Sequence, residues 1–230
     1  MPKPQPKLAV LETAEWYTKD RITTVRPLFQ LLSMHVYDGD PNLFHYATFT
    51  GKASFVATFK DMVSKHGVNF ICIGAHGENN KIILNKKEKS GNLSLFSSLF
   101  SRDIRGAASI RGIYLAGCQL DGLAKKLSSK EWEHNTPAPW FAGYGESVDW
   151  MDAAWMDMKF WDILLNDHYW AQKKQKKPQS RRIDALRTPF QLLAGGHGAT
   201  MWELGLQIYR QGEEYVDFIS REYLNMNEDE

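Results

Sequence analysis

A histidine and a cysteine attract attention because each directly follows a short apolar run that ends in small residues. Residues 68–75 precede His76 and Gly77, and residues 112–117 precede Cys118. Such runs are typical of buried parallel strands. In open α/β sheets, ligands and chemistry collect beyond the carboxyl ends of the strands. The two residues therefore predict a Cys–His dyad of the hydrolase type.

The chemistry of such a dyad dictates what its neighbours must supply. A free thiol has a pKa of about 8.5 and is only slightly ionised at neutral pH. A histidine beside Cys118 accepts the proton or stabilises the thiolate, which makes the sulfur a nucleophile for acyl transfer. The resulting oxyanion needs fixed donors, for which we predict the backbone N–H groups of Gly77 and Cys118. The structural alternative is a glycine-rich turn after each strand, with a small buried cysteine.

The remaining cysteine and histidines indicate no further chemistry. Cys72 lies within the first apolar run and is predicted to be an inert, buried thiol. With only two cysteines and no CxxC spacing, the sequence predicts neither a disulfide nor a zinc site. No histidine pair has metal-ligand spacing such as HExxH. We therefore assign no metal and no cofactor.

The composition is that of an ordinary globular protein. The 230 residues are 43% apolar and 24% charged, which suffices for a sizeable core. The net charge of +1 produces no global field that favours nucleic acid or an anionic membrane. No apolar stretch reaches the roughly 20 residues that span a bilayer, and the Pro-rich beginning of the sequence has no apolar core of a signal peptide. A cytoplasmic protein is expected, with no nucleic-acid or membrane partner.

The elements that would position the dyad alternate along the chain. Apolar runs predict strands at 8–12, 44–49, 68–73, 81–84, 109–116 and 139–144. Helical periodicity predicts helices at 24–36, 52–65, 93–103, 120–128, 147–165, 184–193 and 199–222. Ser147 is the expected N-cap of the long helix. This alternation predicts an α/β fold, a three-layer α/β/α sandwich with a mostly parallel central sheet of about six strands.

The domain organisation follows from the same pattern. We expect residues 1–6 to form a flexible Pro-rich tail and residues 7–230 a single domain, helical from about 146 to 226. Residues 173–182 carry six basic residues and no acid, which indicates a solvated loop, a partner-docking patch or a protease-sensitive linker. The glycine-rich residues 195–198 predict an interhelical turn, with a role in a substrate loop as the alternative.

Three segments, 70–77, 113–118 and 141–150, together resemble the caspase-like cysteine peptidases of clan CD, especially the bacterial CHAT-type branch. The resemblance covers roughly residues 8–165. It implies the caspase-haemoglobinase-like fold and a cysteine endopeptidase that cleaves a protein or peptide partner. It also implies a regulatory protein partner and a role in bacterial stress or anti-phage responses. The nucleophile segment departs from the Gln-Ala-Cys-x-Gly pattern of caspases proper, because Ala116 and Gly117 precede Cys118 here.

The third segment is similar to the one that walls the substrate cleft in this clan, which implies that Tyr144, Asp149 and Asp152 bind substrate. Since a buried carboxylate prefers a cationic partner, the two acids predict cleavage after arginine or lysine. The competing interpretation is that Asp149 only caps the helix. Two other functions stay open: a catalytically silent interaction module on the same fold, and an acyl-transfer or deamidating enzyme with the same nucleophile.

Overall fold

A six-stranded sheet forms the centre of the structure, a computed structural model that describes residues 5–14, 24–83, 92–93, 110–128, 138–165, 200–201 and 203–210. In chain order the strands are β1 (Leu8–Thr13), β2 (Phe44–Phe49), β3 (Phe70–Gly74), β4 (His76–Glu78), β5 (Lys81–Ile83), β6 (Asn92–Leu93), β7 (Gly112–Ala116), β8 (Trp140–Tyr144) and β9 (Leu206–Arg210). The central sheet has the order β2-β1-β3-β7-β8-β9, and β4, β5 and β6 form a small separate sheet.

The central sheet is parallel except at one edge. Strands β2, β1, β3, β7 and β8 pair in parallel, and β9 pairs antiparallel with β8. Every residue of β1, β3, β7 and β8 is buried. Burial on both faces explains why these strands appear in the sequence as continuous apolar runs rather than as alternating patterns. The predicted α/β class with a mostly parallel sheet of about six strands is confirmed.

Helices cover both faces of the sheet. They are α1 (Arg26–Tyr37), α2 (Lys52–Ser64), α3 (Asp121–Ser128) and α4 (Trp150–Leu165). Helices α2 and α3 pack against one set of strand side chains, including Ile71, Ile73 and Leu115. Helices α1 and α4 pack against the alternate set, including Phe70 and Tyr114. The result is three layers, since successive residues of a strand point to opposite faces.

The last strand of the structure lies where the sequence predicted a helix. A helix was expected over residues 199–222, but Leu206–Arg210 form strand β9 beside β8. Gly205 has a φ of +61°, a conformation that suits glycine and ends a helix. Short apolar runs do not distinguish a buried strand from a buried helix by periodicity alone. The expected helical region from about 146 to 226 is therefore interrupted by a strand.

Smaller differences occur elsewhere. Pro6, assigned to the flexible tail, is buried, and its carbonyl accepts a hydrogen bond of 2.6 Å from the hydroxyl of Tyr37. Leu93, expected to begin a helix, lies in β6. The rest of that predicted helix, the helix at 184–193, the basic residues 173–182 and the turn at 195–198 lie outside the described residues. Within the described part, no helix has both the length and the apolar character needed to cross a membrane.

Candidate active site

The parallel pairing of β3 with β7 places His76 and Cys118 at the same edge of the sheet. Gly74 is the register partner of Ala116. His76 lies two positions after Gly74, and Cys118 lies two positions after Ala116. The N–H of Ala75 donates to the carbonyl of Ala116 across 3.2 Å, so the pairing continues past the strand ends. His76 is exposed and Cys118 is half-buried. The two residues therefore leave neighbouring strands side by side.

Two glycines allow the loops after these strands to pack backbone against backbone. A Cβ atom on Gly77 would lie only 1.9 Å from the carbonyl oxygen of Cys118. A Cβ atom on Gly117 would lie 2.2 Å from the carbonyl oxygen of Ala75. No larger residue fits at either position without moving the main chain. The close approach of the histidine segment to the cysteine loop thus depends on the two missing side chains.

His76 begins a hairpin rather than lying in a turn. Strands β4 and β5 pair antiparallel and are joined by Asn79 and Asn80, which have φ values of 50° and 61°. Two central residues with positive φ are the signature of a tight two-residue hairpin turn. Because hydrogen-bonded and non-bonded pairs alternate from such a turn, Gly77 and Ile82 form a non-bonded pair. The N–H of Gly77 therefore points away from β5.

The loop that carries Cys118 is fixed on both sides of this residue. The N–H of Gly117 donates to Leu115, and that of Gln119 donates to Glu146, over 3.0 and 3.1 Å. Within the described part of the chain, the N–H of Cys118 bonds to no carbonyl. The thiol of Cys118 lies 3.8 Å from the carbonyl oxygen of Val148 and can donate to it. In the described part of the chain, the N–H groups of Gly77 and Cys118 are thus not taken up by these pairings.

The residues of the third segment occupy different environments. Tyr144 is completely buried, and its hydroxyl donates to the carboxylate of Asp157 over 2.5 Å. It therefore has no exposed surface with which to contact a substrate. Asp149 is exposed and accepts hydrogen bonds from the N–H groups of Met151 and Asp152, over 2.8 and 3.4 Å. It therefore caps α4 and is not the buried carboxylate from which the preference for arginine or lysine was predicted.

The start of α4 corrects a second expectation. The helix begins at Trp150, three residues after Ser147, so Ser147 is not its N-cap. Asp152 lies in the first turn of the helix with an exposed side chain, where its charge complements the helix dipole. Both acids that the sequence analysis assigned to substrate binding thus lie near Val148, which contacts the Cys118 thiol. Tyr144 does not share that surface.

Cys72 lies in a very different environment from Cys118. Its side chain is fully buried between the sheet and α4. Burial, together with the nearby carboxylate of Asp157, raises the pKa of the Cys72 thiol well above its ordinary value. The thiol therefore stays protonated at neutral pH, and alkylating reagents have no access to it. The prediction of a buried Cys72 is confirmed.

A buried carboxylate at the same edge of the sheet was missed by the sequence analysis. Glu12, near the end of β1, is fully buried and accepts hydrogen bonds from the N–H of Val25 and the hydroxyls of Thr24 and Tyr46. Three donors satisfy a carboxylate without a ligand. Glu12 therefore joins the start of α1 and the edge strand β2 to β1. In the sequence, the only signal of this role was one charged residue at the end of an apolar strand.

The asparagines of the hairpin turn were also missed. The side-chain oxygen of Asn80 accepts the N–H of Leu123 over 3.1 Å, so Asn80 caps the first turn of α3 from a distant segment. The signal was present in the sequence, since two asparagines between short apolar runs favour a tight hairpin. Among the residues that the structure describes, no three histidine, cysteine or acidic side chains come together to hold a metal ion.

Comparisons with known proteins assign no activity to this chain. No protein-family model matches the chain, and no curated protein shows a significant match. Among solved structures, the chain is similar to a secreted C11 cysteine protease from Bacteroides thetaiotaomicron, iotapain, with 12% sequence identity and a TM-score of 0.42. The match covers 72% of this chain and 59% of that chain, less than two thirds of its length. Identity at this level assigns no role to any residue here.

Proposed function

We propose that the protein is a cysteine endopeptidase of the caspase-like type, in which Cys118 is the nucleophile and His76 the general base. The observation that carries the proposal is the backbone packing of Gly77 on the carbonyl of Cys118, at the carboxyl ends of paired strands. It brings the histidine segment against the cysteine loop. The resemblance of three sequence segments to the caspase-like peptidases supports the same assignment.

In the proposed reaction, the thiol of Cys118 gives its proton to His76, and its sulfur forms a bond to the scissile carbonyl carbon. The N–H groups of Gly77 and Cys118 stabilise the negative charge on the carbonyl oxygen. The C–N bond then breaks, and the amine leaves with the proton from His76. His76 takes a proton from a water molecule, whose oxygen attacks the thioester carbonyl carbon. The C–S bond then breaks, the carboxylic acid leaves, and His76 returns the proton to the sulfur of Cys118.

The decisive test compares Cys118→Ala and His76→Ala with the wild-type protein in a mass-spectrometric cleavage screen on peptide libraries. Both variants should abolish cleavage and stay folded, because both residues lie beyond the core strands. Wild-type Cys118 should react rapidly with iodoacetamide, and Cys72 should stay unmodified in the same sample. Full cleavage by the Cys118→Ala variant would eliminate the mechanism.

One observation favours a catalytically silent interaction module. The contact of the Cys118 thiol with the carbonyl of Val148 requires a bound proton, so it stabilises the neutral thiol rather than the thiolate. The alkylation experiment separates the two functions. A silent module predicts that His76→Ala leaves the alkylation of Cys118 unchanged.

For the substrate, we propose a protein or peptide that is cleaved after arginine or lysine. Exposed carboxylates near the loop of Val148, those of Glu146, Asp149 and Asp152, support a cationic preference. Asp149→Asn is a sharp test because asparagine is an equally good N-cap but carries no charge. A selective loss of cleavage after arginine, against leucine and aspartate peptides, supports the role in specificity. An equal effect on all three peptides means that Asp149 is structural.

We further propose, from the resemblance to the bacterial CHAT-type branch, that a regulatory protein activates the enzyme in the cytoplasm during stress or phage infection. The experiment is a proteome-wide labelling of new N-termini in cells that express the wild-type protein or Cys118→Ala, with and without phage. New N-termini should appear only with the wild-type protein and should increase on infection. Identical N-termini in both strains would contradict the proposal.

A further inference from the structure

Gln119, the residue after the nucleophile, connects its own loop to two other segments. Its carbonyl accepts the N–H of Asn80 over 2.9 Å, and its side-chain Oε1 accepts the N–H of Asn79 over 3.2 Å. Its side-chain Nε2 lies 3.3 Å from the hydroxyl oxygen of Ser147, and its N–H donates to Glu146 over 3.1 Å. One residue thus attaches the tip of the β4–β5 hairpin and the loop before α4 to the nucleophile loop.

His76 lies between the two points at which this hairpin is hydrogen-bonded to the segment that carries Cys118. At the base, the N–H of Ala75 bonds to the carbonyl of Ala116 at the edge of the sheet. At the tip, three residues beyond His76, the turn bonds to Gln119. Cys118 lies directly between Ala116–Gly117 and Gln119 on the facing segment. The distance between the histidine and the thiol is therefore set at both ends.

The backbone of Gln119 has a conformation that glycine adopts far more readily. Its φ is +53°, in the left-handed region, which strains an unbranched side chain such as that of glutamine. A glycine would form the same two backbone hydrogen bonds without strain. What glutamine adds is a side chain with both an acceptor and a donor, and both are in use. The side chain is the part of the residue that a glycine could not replace.

We propose that Gln119 is a positioning residue that holds the His76 hairpin in register with the Cys118 loop. The inference rests on the proposed Cys118–His76 dyad and adds a specific device that aligns it. Gln119 does not touch the reacting atoms, because its polar atoms are bonded to the hairpin turn and to Ser147. Its effect on the reaction is geometric: small displacements between a nucleophile and its base slow catalysis strongly.

The test uses two substitutions of Gln119 and one matched control. Gln119→Met keeps the length of the side chain and removes both of its hydrogen bonds. Gln119→Asn suits the left-handed conformation, so the fold is kept, but its shorter side chain cannot reach both partners. The control, Ser54→Ala in α2, removes a side chain that accepts the N–H groups of Thr50 and Gly51 over 3.0 and 3.1 Å. Ser54 follows β2, three strands away from β7 in the sheet.

Three quantities are measured for each protein: stability in urea, kcat and KM on a cleaved peptide, and the pH profile of Cys118 alkylation. Both Gln119 variants should lower kcat by about tenfold or more, change KM less than about twofold, and slow the alkylation of Cys118 at neutral pH. Ser54→Ala should lower stability and leave the kinetics and the alkylation profile as in the wild type. Gln119 variants that behave like the control overturn the inference.

The alkylation profile also separates this inference from the proposed function. If His76→Ala shifts the profile of Cys118 but the Gln119 variants do not, the dyad exists and Gln119 does not position it. If His76→Ala leaves the profile unchanged, no dyad exists, and the proposed function fails together with the positioning role. A shift in His76→Ala and in both Gln119 variants, with no shift in Ser54→Ala, supports the inference even before a peptide substrate is known.

Discussion

Asp157 in α4 gives a quantitative test of the polar cluster that lies beneath the candidate site. This residue is only 3% exposed, and its Oδ1 accepts hydrogen bonds from the hydroxyls of Tyr114 and Tyr144 over 2.6 and 2.5 Å. Burial raises the pKa of Asp157 from 3.8 to about 6, although the two tyrosine hydrogen bonds act in the opposite direction. The charged form is therefore disfavoured in the folded protein despite its two donors.

The raised pKa of Asp157 in the folded state makes the stability of the protein depend on pH. Because the pKa of Asp157 is higher in the folded state, the folded state binds the proton more tightly, and this contribution to stability is complete below pH 4. It is lost as the pH rises from about 4 to about 6. The difference of about 2 pH units corresponds to about 3 kcal/mol, at about 1.4 kcal/mol per unit. The ionised carboxylate should thus lower the unfolding free energy by about 3 kcal/mol at neutral pH.

The assay is urea unfolding of the wild type and Asp157→Asn at several values between pH 4 and pH 7. Asparagine keeps an acceptor for the tyrosines and does not titrate, so the variant should gain about 3 kcal/mol relative to the wild type across this range. Asp61→Asn is the control of opposite sign, because a hydrogen bond from Lys65 lowers the pKa of Asp61. Its stability relative to the wild type should be lowest at neutral pH and should rise as the pH falls below about 4, so this variant is also measured at lower pH. A pH-independent difference between Asp157→Asn and the wild type would refute the reasoning.

Two further substitutions test the loops and the core. Gly77→Ala would place a Cβ atom 1.9 Å from the carbonyl oxygen of Cys118, so kcat/KM on a cleaved peptide should fall by about 100-fold. Gly51→Ala, whose Cβ atom meets nothing within 4 Å, should leave kcat/KM unchanged. Cys72→Ala should lower the unfolding free energy in urea by about 1 kcal/mol or more, with Cys118 alkylation unaffected; no loss of stability would mean that the buried thiol packs poorly.

The central sheet could be predicted because its strands carry strong local signals. The apolar runs that became β1, β3, β7 and β8 are buried on both faces, so their composition alone indicates parallel strands. Strand β9 could not be predicted in this way. Its residues Leu206–Arg210 become a strand by pairing with β8, a tertiary interaction that no local pattern records. The glycine at 205 was the available signal, and it lay within the predicted helix.

In the candidate site too, the sequence predicted what local patterns record but not the interactions that only the assembled fold creates. His76 and Cys118 could be named because each follows a strand, and the topology alone brings such residues to one edge. The capping role of Asp149 was one of two interpretations that the sequence allowed, since an acid before a helix fits both a cap and a pocket. The bonds of Gln119 join segments about 30 and 40 positions away, and only the assembled fold brings these together.

The buried cluster and the site are connected through α4. The hydroxyl of Tyr144 lies near both Asp157 and the carbonyl of Ala153, over 2.5 and 3.2 Å, so these contacts join the end of β8 to the first turns of the helix. The loop between them carries Val148, whose carbonyl meets the Cys118 thiol. A purely apolar contact at Asp157 would be more stable at neutral pH but would not fix the direction of the helix as two short hydrogen bonds do. We infer that burying this carboxylate lowers the stability of the fold and in return fixes the loop beside Cys118.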